Sequence, residues 1–379
     1  MRSLDDARDV CEAYLPGLFD ELDATPLRDL ERPGNQGLDI FRKYGGSALV
    51  IPEIYSGLGA GPVDAIHVMR AIASRAPSLA VATAMHHFSV ATLFTLADCL
   101  RSSGTEWAML MGIAEQGLLV ASGFAEGKPG QGILSPSVRG SIADGGYVVN
   151  GSKKPCSMAR SMDLLSASTA VTDANGDTEL ILLLVPADSD GLSVHPFWQS
   201  DILAGAESDE VRLVDVFVDE RLATRAEFTD SGEVDALQTV GFMWFEMLIS
   251  ACYLGMASGL VERVFAADRV GAEARAAIGV RLETATLLLE RVAALLADGA
   301  CDGAALTRAM IARYGAQDAI NDAVGRAVEA LGGISFITDP GIAYLQSATR
   351  CLSFHPPSRS STHGTLAVSL AGGSFVLDR

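Results

Sequence analysis

Residues 146–165 read GYVVNGSKKPCSMARSMDLL, and the fold turns on them. Tyr147, Val148 and Val149 favour extended backbone. They lie between Asp144-Gly145-Gly146 and Asn150-Gly151, pairs suited to tight turns between antiparallel strands. Similar runs flank this one: LLVASGF (118–124), DLLSASTAV (163–171), ELILLLVP (179–186), GLSVHPF (191–197) and DEVRLVDVFV (209–218). Each is short, apolar or alternating, with turn residues such as Asn175-Gly176 between them. The pattern predicts a small antiparallel β unit of about a hundred residues.

On both sides of this unit the period changes to that of helices. Amphipathic helices are predicted at 4–22, 62–75, 78–98 and 104–116, punctuated by Pro33-Gly34 and by Gly57 to Pro62. Pro62 and Pro77 suit first-turn positions, where a missing N–H costs nothing. Further helices are predicted at 233–266, 272–298, 303–331 and 339–352, with a last one after 363. The expected division is a helical unit at 1–117, a β unit at 118–229 and a helical bundle at 230–379.

Hydrophobic residues make up 49% of the 379 and charged residues 20%, enough apolar surface for more than one core. A net charge of −19 repels phosphate backbones and anionic membranes, which argues against a nucleic-acid or membrane partner. The six cysteines show no CxxC pair and no zinc spacing, and the opening MRSLDDARDV is charged where a signal peptide would be apolar. A reduced, cytoplasmic protein is expected. The stretch from Asp235 to Glu262 has Glu246 as its only internal charge and could pass for a membrane span. A carboxylate at its middle, with Gln238, Ser250, Ser258 and three glycines, favours a helix buried by other helices.

Three segments in order carry a family resemblance. FRKYGGSALVIPEIYSGLGAG (41–61) is a Gly-rich turn feeding a helix, and AVEALGGISF (327–336) ends a helix in a Gly-Gly pair. Between them, 146–165 matches without a gap a pattern of NGTK, a flavin-contacting strand and an Asp. Together they resemble the acyl-CoA dehydrogenase superfamily over nearly the whole chain. The resemblance implies an N-terminal α-helical domain, a middle antiparallel β-domain and a C-terminal four-helix-bundle domain. It also implies a flavin, FMN or FAD, and a homotetramer or homodimer formed through the C-terminal helices. GLGAG (57–61) follows no clear strand and has no downstream acidic partner, so it reads as a turn and not a dinucleotide site.

The departures from the dehydrogenases have a direction. Where those enzymes carry a catalytic glutamate, this chain has RCLSFHPPSRSSTHG (350–364), with His355 followed by Pro356. The flavin-contacting aromatic is Pro155, the Gln of Gln-x-x-Gly-Gly is Glu329, and DRVGAE (268–273) keeps only Arg269 of the segment that holds FAD. CSMARSMDLL and RCLSFHPP are similar instead to the flavin-dependent monooxygenase branch, typified by dibenzothiophene monooxygenase. Members of that branch commonly use reduced FMN from a separate flavin reductase. The resemblance implies insertion of one oxygen into a small, mostly apolar substrate.

On this reading His355 would supply a proton near neutral pH. One of His86 and His87, in ATAMHHFSVATLF (82–94), would face the flavin. Successive helical residues lie about 100° apart, so only one of the two can face a given pocket. Ser157 would donate a hydrogen bond to the flavin edge. Cys156, Phe124, Arg269, Glu329, Gly332 and Gly333 are the other candidate cofactor-binding positions, the two glycines permitting close backbone approach.

Two other readings stay open. Glu246, alone in an uncharged stretch, suits a general base and would make the chain an acyl-CoA or acyl-carrier-protein dehydrogenase acting on an acyl thioester with FAD. Replacement of the usual base, the aromatic and the Gln also fits a non-catalytic binding protein with a degraded flavin site.

Overall fold

The structure, a computed structural model, describes residues 1–100, 104–127, 136–172, 178–226 and 236–375. The Asn175-Gly176 turn and the 229/230 boundary lie outside the described residues. The first helices are α1 (Arg2–Tyr14), α2 (Leu18–Ala24), α3 (Leu27–Leu30), α4 (Gly37–Lys43), α5 (Pro62–Ala73), α6 (Pro77–Leu100) and α7 (Gly104–Gln116). The one helix predicted at 4–22 is two. Pro16 has no N–H to continue the ladder, and Gly17 takes a left-handed conformation (φ 85°).

The strands are β1 (Val120–Gly123), β2 (Arg139–Ala143), β3 (Gly146–Cys156), β4 (Leu164–Thr172), β5 (Thr178–Pro186), β6 (Leu192–His195), β7 (Asp209–Asp219) and β8 (Ala223–Ala226). They form one sheet in the order β6-β7-β3-β2-β4-β5-β8, with β1 also beside β4. The sheet is mixed, not antiparallel as predicted. Val120–Gly123 run parallel to Leu164–Ala167, and Arg139–Gly140 parallel to Ala170–Val171. Turn pairs report which strands are neighbours in sequence, and a parallel pairing across an intervening hairpin leaves no such mark.

The chain ends in α8 (Ala236–Ala266), α9 (Ala272–Ala297), α10 (Gly303–Thr338), α11 (Pro340–Arg350) and α12 (Arg359–Leu370). The apolar α8 is a core helix: 89% of its most apolar window is buried, against α5, α6, α9, α10 and α11. Its glycines serve that packing. A Cβ at Gly255 would lie 2.4 Å from the Arg70 carbonyl oxygen, and one at Gly259 would lie 2.5 Å from that of Ser74. The backbones of α5 and α8 therefore meet almost directly. One apolar core joins helices from both ends of the chain, and a second fills one face of the sheet.

Candidate active site

A cavity of 460 Å³ lies between the sheet and helices α6 and α8, closed by the turn after α11. From α6 come Val81, Met85, Phe88 and Thr92, a spacing that makes one stripe of a helix. From α8 come Gln238, Gly241, Phe242, Phe245 and Tyr253. The Phe88 ring stands edge-on to Phe245 (centroids 5.4 Å apart) and 5.9 Å from Phe124. The wall is mostly apolar, and its polar groups cluster at a few points.

One such point follows β3. Met158 has φ 61°, and across from it Leu203 and Glu207 have φ 59° and 53°. Left-handed backbone costs a non-glycine residue about 1–2 kcal/mol, so the surroundings must hold these turns. They do so through two bonds: Met158 N–H donates to the Ala206 carbonyl at 2.9 Å, and Ala159 N–H to that of Glu207 at 3.2 Å. The strapped turns bring the Ser157 and Ser208 hydroxyls within 3.0 Å of each other on the cavity wall. Cys156 is not part of this wall. The alternation of β3 turns its thiol into the β core, where it is fully buried and burial pushes it up to about 12.

The second polar point is His355, at the end of the 3₁₀ turn Cys351–Phe354. Its Nε2 lies 2.8 Å from the Tyr253 hydroxyl. α10 fastens this turn from behind. Arg313 donates to the Leu352 carbonyl at 2.6 Å and to Gln317 Oε1 at 2.8 Å, and Gln317 Nε2 donates to Ser353 Oγ at 2.7 Å. The side chain is half-buried, with its ring against Phe245 and Tyr253. Burial, and then the nearby Arg313 charge, push His355 down to about 3. The proton donor expected near pH 7 is therefore a neutral imidazole, with one nitrogen to donate and one to accept.

His86 and His87 do not reach the cavity. They lie about 140° and 240° around α6 from Val81, off the lining stripe. His86 accepts the Val120 N–H at Nδ1 (3.0 Å) and donates from Nε2 to the Ser47 carbonyl (2.8 Å), pinning α6 to β1. Burial holds it at about 4. His87 packs between Phe41 and His86, its ring nitrogens without hydrogen-bond partners among the described residues, and burial keeps it well below its usual value.

Glu246 also turns away from the cavity. Its Oε2 lies 2.9 Å from Arg313 Nε, and both side chains are buried. The angle is too bent for a hydrogen bond, so the contact is one of charge. Burial pushes Glu246 up to about 7 against the pull of Arg313. The structure thus gives Glu246, the base of the alternative reading, a buried ionic partner and a place off the cavity wall. Arg269 donates to the Leu331 carbonyl and to Ser335 Oγ (2.6 Å), clamping α10 where Gly332 kinks it (φ 73°). Glu329 is exposed on the same helix, and neither it nor Arg269, Gly332 or Gly333 lines the cavity.

Of the sequence candidates, His355, Ser157 and Phe124 meet at one cavity. Sequence reasoning missed Phe88, Ser208, Tyr253 and Glu126. A helical wheel through 81–92 finds Phe88 by its spacing from Val81 and Met85. Ser208 and Tyr253 carry no local signal. Glu126 is a lining carboxylate that accepts from Ser137 N–H (2.8 Å), Val138 N–H (3.2 Å) and Lys153 Nζ (2.8 Å). Burial opposes its charge, yet Lys153 and Ser137 hold it down at about 2.

A flavin ring system has two apolar faces and a polar edge. The cavity offers matching surfaces: Phe124, Pro155 and Trp198 for a face, and the Ser157–Ser208 pair and His355 for the edge and reacting side. Bound in its reduced form, a flavin supplies the two electrons that activate dioxygen. The residues present fit that group.

No protein-family model matches the chain. It is 46% identical over 378 residues to isobutylamine N-hydroxylase from Streptomyces viridifaciens, covering 100% of both chains. It is 26% identical over 257 residues to dibenzothiophene monooxygenase from Rhodococcus erythropolis, covering 66% of this chain and 60% of that one. FMN-bound TdsC from Paenibacillus sp. A11-2 shares the fold with a TM-score of 0.80 at 18% identity, over 98% of this chain and 97% of that one. With 46% identity to that hydroxylase from end to end and this fold, the chain is a member of the flavin-dependent monooxygenases built on the acyl-CoA dehydrogenase fold.

Proposed function

We propose that this enzyme N-hydroxylates a small primary alkylamine, using dioxygen and reduced FMN. The observation that carries the reading is the end-to-end 46% identity to a hydroxylase of isobutylamine. The cavity supports it. Val81, Met85, Phe242 and Phe245 suit a short branched alkyl group. Enclosure in such a wall lowers the pKa of an amine, favouring the uncharged form whose lone pair can take up oxygen. Glu126 does not hold an ammonium here, because Lys153, Ser137 and Val138 already occupy its oxygens.

One oxygen atom enters the new N–O bond and the other leaves as water. Two hydrogens and two electrons from the reduced flavin balance the reaction. His355 stands as the neutral group that hydrogen-bonds the reacting oxygen, and Ser157 orients the ring edge. FMN is favoured over FAD because Arg269 is occupied by α10 and Glu329 stands exposed where an amide would approach a pyrophosphate. A separate reductase delivers the reduced cofactor to this soluble, cytoplasmic enzyme. Copies associate through the C-terminal helices, where Val280, Leu287, Ile334 and Ile337 are exposed.

The test supplies the purified protein with FMN, a flavin reductase, NADH and isobutylamine, and follows the hydroxylamine by mass spectrometry. Formation of N-isobutylhydroxylamine with matching oxygen uptake is the expected result. Oxygenation of a thioether or an indole with no amine product would overturn the amine assignment. Bleaching of bound FAD by an acyl thioester would overturn the oxygenase reading altogether.

A further inference from the structure

We infer that Tyr253 is a positioning residue that fixes His355 in the tautomer carrying its proton on Nδ1. The inference rests on the proposed role of His355 in the oxygenation. Tyr253 is fully buried on α8, and its hydroxyl lies 2.8 Å from His355 Nε2. No other hydrogen bond of that hydroxyl is made among the described residues. Either atom of the pair could in principle donate. If Nε2–H donated, the phenol hydrogen would be left buried without an acceptor, a penalty of about 1–3 kcal/mol. If the phenol donates, both groups are satisfied. The second arrangement therefore dominates, and the Nδ1–H remains to serve the cavity as a donor.

The surroundings keep the pair in this form. Burial raises the Tyr253 phenol well above its usual value, so it stays a donor. Arg313 sits behind the His355 turn and disfavours a second proton on the ring. The other ring packed against the imidazole, Phe245, carries no charge. A neutral ring with a fixed donor stabilises negative charge growing on oxygen without first having to be protonated.

Selective 15N labelling of the six histidines tests this in the full-length wild-type protein, whatever its substrate proves to be. His355, assigned with a His355→Gln variant, should show a pyrrole-type shift at Nδ1 and a pyridine-type shift at Nε2. A protonated Nε2, or a charged ring at pH 7, would overturn the inference. In Tyr253→Phe, the tautomer balance should move toward Nε2–H. Turnover should fall at least tenfold with KM within about twofold, and more oxygen should be consumed without product. Unchanged turnover and an unchanged tautomer in that variant would equally overturn it. If no amine is hydroxylated yet the wild-type tautomer is as stated and shifts in Tyr253→Phe, the amine reading fails and the role of Tyr253 stands.

Discussion

Replacing Glu246 by Gln separates a base from a structural counter-charge. Glu246 Oε2 and Arg313 Nε are 2.9 Å apart, with side-chain exposures of 1% and 2%. Removing one member of a buried pair typically costs about 3–5 kcal/mol, because the other charge stays buried and uncompensated. Gln keeps the shape and offers an amide oxygen, and Arg313 retains its bonds to Gln317 and Leu352. At pH 8.5, above the value of about 7 to which burial pushes Glu246, the carboxylate is ionised and the cost should therefore sit at the lower end, about 3 kcal/mol. Unfolding entropy near 60 °C is about 2.1 cal/mol/K per residue, or about 0.8 kcal/mol/K for this chain, so Tm should fall by about 4 °C. The His355 turn remains fastened, so turnover should stay within about twofold of wild type. Scanning fluorimetry and the hydroxylamine assay measure the two effects. A variant with unchanged Tm and turnover reduced a hundredfold or more would refute the counter-charge argument and restore Glu246 as a base.

Two further outcomes are expected. His86 has its pKa depressed to about 4, below its unfolded value, so its contribution to stability is present above about pH 6.5 and is lost as pH falls toward 4. Replacing it by Asn should make the fall in stability over that window shallower, by up to about 1.4 kcal/mol per pH unit, as measured by denaturant titration at several pH values; parallel wild-type and variant curves would contradict this. Ser157→Ala removes a hydroxyl worth about 1 kcal/mol, so reduced FMN should bind about fivefold more weakly under anaerobic titration. An unchanged Kd would place the flavin edge elsewhere.

The three-part order and the family were legible in the sequence because they rest on local signals. Turn pairs around short apolar runs mark the sheet, helical periodicity marks the flanks, and 146–165 matches a contiguous pattern. The same locality explains why Ser157 and His355 could be named: each lies inside a recognisable run. The candidates that miss the cavity lie where two neighbours in sequence point in different directions. Cys156 and Ser157 are adjacent, yet strand alternation sends the thiol into the β core while the serine reaches the cavity. His86, His87 and Phe88 are consecutive, yet helical rotation gives the cavity only Phe88.

By itself the sequence determined which segments become strands and helices, since backbone preference and side-chain periodicity are properties of nearby residues. It also determined that a carboxylate would be buried at Glu246. Only the tertiary structure decided what that carboxylate meets. Arg313 lies 67 positions further along the chain, and no local pattern encodes that contact. The Tyr253–His355 pair, 102 residues apart, and the Ser157–Ser208 pair, 51 apart, were likewise settled by the packing of α8 and the turn after α11, and of the turns beyond β3 and before β7. The same contacts that fix a side chain's direction also fix its protonation, which is why neither could be read from neighbouring residues.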